Sequence, residues 1–159
     1  MYTATYTLSW TYSNTNSNVD VNAVAFSANA SLLAVGMGGN RFRVYTFTSA
    51  SNASNSLGNT GNTYYCLDYC PDGSLLAAGD DGGNLRFYDL YNNYNNFDTI
   101  TSLGNLTTLD FSNDSCWLAV GSTNRNVYFY GANCIKNQPP KNPPFRCAID
   151  QYKFNTTKC

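Results

Sequence analysis

The sequence predicts an all-β protein built from repeats, and three observations carry that reading. Three stretches of similar pattern follow one another: AVAFSANASLLAVGMGGNRFRVY from Ala23 to Tyr45, CLDYCPDGSLLAAGDDGGNLRFYD from Cys66 to Asp89, and TLDFSNDSCWLAVGSTNRNVYFY from Thr108 to Tyr130. Their anchors keep step: Phe26, Tyr69 and Phe111 are 43 and 42 residues apart, as are Tyr45, Tyr88 and Tyr130. A fixed period of this length marks a repeat architecture whose units cannot bury their apolar faces alone. Each unit also reads as short strands punctuated by turn residues.

The second unit shows the elements in order. Cys66 to Cys70 alternates and is rich in β-formers. Pro71-Asp72-Gly73 is a turn, with Pro setting φ and Gly supplying a positive φ. Leu75 to Gly79 is a short apolar strand, Asp80-Asp81-Gly82-Gly83 a second turn, and Asn84 to Tyr88 a third strand. The third strands, Phe42-Arg43-Val44-Tyr45, Leu85-Arg86-Phe87-Tyr88 and Val127-Tyr128-Phe129-Tyr130, alternate as a sheet with unlike faces requires. The Leu-Leu-Ala runs before them suit a strand packed on both faces.

These residues resemble the WD repeat of β-propellers, whose pattern runs phe-Ser-Pro-Asp-Gly, then Leu-Ala-x-Gly, then Asp-Gly-x-hydrophobic-Arg-x-Trp-Asp. The second unit is the nearest match, through Pro71-Asp72-Gly73, Leu76-Ala77-Ala78-Gly79, Asp81-Gly82 and Leu85-Arg86-Phe87-Tyr88-Asp89. The repeats span about 19–47, 62–90 and 104–131. Two departures stand out: the chain has no His, and Tyr replaces Trp in every unit. The His–Asp–Trp network that the resemblance implies is therefore absent or rebuilt.

A propeller closes a ring of about four to eight four-stranded blades, and this chain supplies three units and a fraction. Residues 4–12 alternate as an outer strand would, and Tyr94 to Ser102 reads as the outer strand after the second unit. Open ends expose strand edges and apolar blade faces. Protein subunits, further copies or other chains, are then the expected partners that complete the ring. The end on Cys159, inside a cysteine series, favours a fragment or processed product.

Residues 134–159 form a Pro/Cys-rich basic tail or linker after the partial propeller of residues 1–133. The first part carries four Arg and nine Asp, net −5; the tail carries four Lys, one Arg and one Asp, net +4. Pro139, Pro140, Pro143 and Pro144 make it extended and semi-rigid, as a spacer or a strap. Cys134, Cys147 and Cys159 are disulfide candidates, with Cys134–Cys147 the first pairing expected in a secreted chain. Cys66 and Cys70, about 13 Å apart on one strand, cannot bridge, and with Cys116 they read as small buried residues. Asn29, Asn52, Asn105, Asn113 and Asn155 head Asn-x-Ser/Thr sequons. Asn29 and Asn113 fall in equivalent turns, where a glycan is tolerated.

Ten acidic residues, all Asp, and no His leave little for acid–base catalysis, so no enzyme, catalytic residue or cofactor is expected. Asp80 and Asp81 are a weak Ca²⁺ candidate, and no metal site is assigned. Asp68 and Asp110 share a position and hence a structural role. The acidic body argues against nucleic acid, and no apolar run is long enough for a membrane helix. Tyr64-Tyr65 and Tyr91 to Tyr94 are candidates for a stacking or sugar-binding surface. The main reading is a propeller-like, non-enzymatic building block of an extracellular, fibrous glycoprotein assembly. The alternative is an intracellular (cytoplasmic) WD-repeat-like scaffold fragment for protein–protein binding.

Overall fold

The structure, a computed structural model, describes residues 19–39, 41–46, 53–57, 61–133 and 148–150. These residues form twelve strands in three antiparallel sheets of four. The first blade holds β1 (Val21–Phe26), β2 (Leu32–Met37), β3 (Arg41–Thr46) and β4 (Ala53–Leu57). The second holds β5 (Tyr64–Tyr69), β6 (Leu75–Asp80), β7 (Leu85–Asp89) and β8 (Asn95–Ile100). In the third, β9 (Leu106–Phe111), β10 (Trp117–Ser122) and β11 (Val127–Asn133) are joined by β12 (Ala148–Asp150) from the tail region. Each sequence unit supplies three consecutive strands, and the outer strand expected near Tyr94 to Ser102 is β8. The outer strand expected at 4–12 lies outside the described residues.

Successive blades meet through their first strands: β1 lies beside β5, and β5 beside β9. The first strands therefore converge toward a hub and the fourth strands lie outside. Two cores fill the gaps between blades. Ala34, Phe42 and Val44 of the first blade pack on Tyr64, Leu67, Tyr69, Leu76 and Tyr88 of the second. Leu75, Leu85 and Phe87 of the second pack on Leu106, Leu109, Phe111, Leu118 and Val120 of the third. Strand β6, sandwiched between neighbours, is buried along its whole length, as its unbroken Leu-Leu-Ala-Ala run predicts.

The turn after each first strand is the same object three times over. Ala30, Gly73 and Ser115 donate their N–H to the carbonyls of Ser27, Cys70 and Ser112, at 2.8, 2.9 and 2.8 Å. All three adopt left-handed φ, of 53°, 77° and 62°, a conformation that suits Gly and strains Ala or Ser. Just before them, Asn29, Asp72 and Asp114 each accept through Oδ1 from the N–H two residues on. The equivalent of Asn29 is therefore Asp114, and Asn113 stands one position earlier in its turn. At the second turn of the middle unit, Gly83, not Gly82, takes the positive φ of 74°.

Candidate interaction surface

The missing His–Asp–Trp network is rebuilt in the second unit around Asp80. Read from sequence as a turn residue, Asp80 is the last residue of β6 and fully buried. Its carboxylate accepts from Gly82 N, Asn84 N, Asn84 Nδ2 and, across from the loop before β5, Asn62 Nδ2. Arg86, two residues into its strand and facing the same side, completes the cluster with a salt bridge. Burial pushes the Asp80 pKa up, but the bonds from Arg86, Asn84 and Asn62 outweigh it and leave the carboxyl below its usual range. Burial opposes the Arg86 charge too, and Asp80 more than restores it. Asp81 Oδ1 accepts from Thr63 N at 3.0 Å. With Asp80 saturated by donors and paired to a guanidinium, this turn does not offer a cation the open oxygens it needs.

The tyrosine that stands for Trp is held on the same side. Tyr88 OH lies 3.4 Å from Tyr64 OH, and Phe42 of the first blade sits edge-on to the Tyr64 ring at a centroid distance of 5.1 Å and to the Tyr88 ring at 4.9 Å. Burial raises the Tyr88 pKa, so the phenol stays neutral. Tyr64 is thus core, and of the sequence's tyrosine cluster only Tyr65 and Tyr91 are exposed while Tyr94 is half-buried. The third unit solves the same problem without charge. Ser122 Oγ and Asn124 Nδ2 both donate to the Leu103 carbonyl at 2.7 Å, and Tyr128 OH donates to it at 3.3 Å. Ser122 and Tyr128 occupy the positions of Asp80 and Arg86, 42 residues on.

Between blades, Asp68 Oδ2 accepts from the N–H of Phe111 at 2.8 Å, which gives the shared Asp position its structural role. Burial is the main influence on this carboxyl and raises its pKa; the Phe111 bond only partly offsets it. Nearby, Gly79 permits close approach: a Cβ there would stand 2.5 Å from Cys66 Sγ and 2.9 Å from Leu106 Cβ. Cys66 and Cys70 are buried, and Cys116 is half-buried. Burial is the chief cause that pushes the Cys66 thiol up to about 12, so it is inert at neutral pH.

Apart from Tyr65 and Tyr91, the large exposed apolar side chains among the described residues fall on the first and third blades. On β1, Val21, Val24 and Phe26 are 59%, 62% and 54% exposed. On the third blade, Trp117, Val127 and Phe129 are 46%, 61% and 45% exposed. Exposed apolar clusters of this kind mark interaction sites. Asn29, Asn105 and Asn113 are also exposed. The other sequon residues Asn52 and Asn155, and the cysteines Cys134, Cys147 and Cys159, lie outside the described residues.

Against known families, the model for the "WD domain, G-beta repeat" matches residues 53–89 and 98–130. The blades are WD-repeat-like. Each WD match begins on the outer strand of one blade and runs through the first three strands of the next, so the sequence repeat is offset by one strand from the structural blade. Among solved structures, a chain of the "Crystal Structure of Mitotic Checkpoint Complex" is similar at a TM-score of 0.66 and 19% identity, over 74% of this chain. The likeness covers 35% of that longer chain and shows the WD propeller fold. No curated protein matches the chain in sequence. The WD propeller is generally a non-enzymatic scaffold for protein–protein interaction, and no helix among the described residues is long and apolar enough to cross a membrane.

Proposed function

We propose that the chain is a non-enzymatic scaffold element that holds protein partners inside the cell. The observation that carries this reading is the WD-type repeat, whose fold generally serves protein binding in mostly intracellular proteins. The similar solved chain comes from a complex, in keeping with such a role. In the middle unit, the polar groups best suited to chemistry are engaged in holding strands and blades together: Asp80 with Arg86, Asp68 with Phe111. Tyr65 and Tyr91 remain exposed for partners. The division at residue 133 into propeller and basic tail is part of this reading, with residues 148–150 of the tail pairing on β11.

This reading replaces the extracellular, fibrous glycoprotein as the first choice, because the WD relationship favours the intracellular alternative. The two differ in modification state and location. Cell fractionation with intact mass measurement, before and after reduction and glycosidase treatment, separates them. We expect an intracellular chain, bare at Asn29, Asn105 and Asn113, whose bound proteins are lost when Tyr65 and Tyr91 are both changed to Ala. A secreted chain with glycan on Asn29 or Asn113 and a Cys134–Cys147 bridge would overturn the scaffold reading.

A further inference from the structure

Blades meet through their first strands, so the outer side of β8 in the middle blade faces away from both neighbours. Among the described residues β8 pairs with β7 alone, and its Asn95, Asn96 and Asp98 are exposed. An open strand edge is a template on which another chain can add a strand. The composition of β8 favours such addition. Phe97, Thr99, Ile100 and the following Thr101 are residue types that prefer strands, and Asp98 interrupts them. Asp98 is also the one charged residue between Asp89 and Asp110. A β-favouring segment with little charge and no Pro is the signature of strand-to-strand aggregation.

Three features of the strand work against pairing. Asp98 places a charge, exposed to solvent, in the middle of the edge. Its Oδ1 accepts the N–H of Thr99 at 2.8 Å, which takes up a donor that an added strand would need. The register is also broken: Phe87 faces Asp98 but Tyr88 faces Asn96, so β8 carries an extra residue there. A bulge of this kind bends an edge strand and interrupts its ladder. The outer strand of the first blade is a useful contrast. The residues of β4, Ala53-Ser54-Asn55-Ser56-Leu57, include no charge. They also include none of the types that strongly favour strands, so that edge has little need of a guard.

We propose that Asp98 guards the rim of the middle blade against association with a second copy of this chain through β8. Every copy presents the same edge, so two copies meeting there match each other about a two-fold axis. Each then brings its own Asp98 into the contact. Like charges on apposed strands repel, and the Thr99 N–H must leave its carboxylate before it can reach a partner carbonyl. Without Asp98, two β8 strands can join their blades into one continuous sheet. The inference goes beyond the scaffold reading and does not depend on it. It concerns the rim, whereas Tyr65 lies on β5 and Tyr91 in the turn after β7.

Sedimentation velocity and thioflavin T emission of the purified full chain test it, with the unchanged chain as reference. Asp98→Val removes both the charge and the hydrogen bond. It should sediment faster than the reference and raise thioflavin emission severalfold. Asp98→Lys, which puts a charge back, should sediment as the reference does. So should Asp98→Val combined with Thr99→Pro, because a proline offers an added strand no N–H. A chain that associated merely because it had unfolded would not be rescued by that proline. The proposal is overturned if Asp98→Val sediments as the reference does, or if its association survives Thr99→Pro, which would place the contact elsewhere. Neither result bears on partner binding through Tyr65 and Tyr91, so the two readings fail separately.

Discussion

The second and third blades carry the same face in two environments. Leu75, Leu85 and Phe87 are buried between blades; Trp117, Val127 and Phe129, their counterparts, lie open. The two blades also differ in how they pin the turn between their second and third strands. The middle blade, covered on both sides, uses a buried ion pair, Asp80–Arg86, with every carboxylate oxygen engaged. The third blade, covered on one side, uses Ser122, Asn124 and Tyr128 on one carbonyl. A buried charge is costly unless paired and hydrogen-bonded, and the middle blade supplies all its partners at once. One backbone therefore accepts either solution, provided that the strand end is satisfied.

The sharpest way to separate the two solutions is to remove them. Asp80→Ala strands the Arg86 guanidinium in the interior and should cost about 3–5 kcal/mol in urea unfolding. Ser122→Ala removes one neutral bond and should cost about 0.5–1.5 kcal/mol. Their pH dependence differs in sign and presence. The Asp80 pKa lies below its unfolded value of ~3.9. Its contribution is therefore present above about pH 4 and is lost as pH falls through the depressed folded value. The penalty for Asp80→Ala should shrink in acid, whereas that for Ser122→Ala should not change.

Backbone approach gives the next contrast. Gly79→Ala forces a methyl between Cys66 and Leu106 and should lower stability by about 1–3 kcal/mol. Gly121→Ala meets one Thr108 methyl at 2.7 Å, a side-chain end that can turn aside, and should cost less; equal losses in thermal unfolding would deny that the faces differ. Smaller still is Gly73→Ala. Nothing lies within 4 Å of the added methyl, so only the left-handed φ is penalised, by about 1 kcal/mol.

The weakest expected effect has the opposite pH sign to Asp80. Burial raises the Asp68 pKa, so its favourable contribution is complete below the unfolded value and is lost as pH rises through the folded one. Asp68→Asn keeps an acceptor for Phe111 and should leave the urea midpoint equal or slightly higher at neutral pH, by under about 1 kcal/mol. The gain should vanish in acid. A lower midpoint at pH 7 would mean that the charge itself holds the blades together.

Much of this was legible in the residues. Period, turns and alternation disclose the strands, because a strand buried on both faces needs an apolar run and each tight turn needs Asp, Asn or Gly. The position of β8 follows from the Tyr94 to Ser102 stretch. Asp80 was not legible: next to Asp81-Gly82 it looks like turn, and only the register that sets Ala78 opposite Arg86 brings a cation six residues away onto its face. A salt bridge of this kind is signalled in sequence only by Arg86 in an otherwise apolar third strand. Likewise, the alternation within Val127-Tyr128-Phe129-Tyr130 does not say which face is covered. Tyr130 is buried and Phe129 open because blades stack on one side of this sheet, which is a property of the array and not of the strand.

The central claim is that equivalent positions differ only by the neighbour that covers them. Matched Phe87→Ala and Phe129→Ala variants, unfolded in urea at concentrations where the chain is monomeric, test it most directly. Phe87→Ala should cost about 3–5 kcal/mol and Phe129→Ala under about 1 kcal/mol. Equal costs would contradict the account, because they would place both rings in equally packed surroundings.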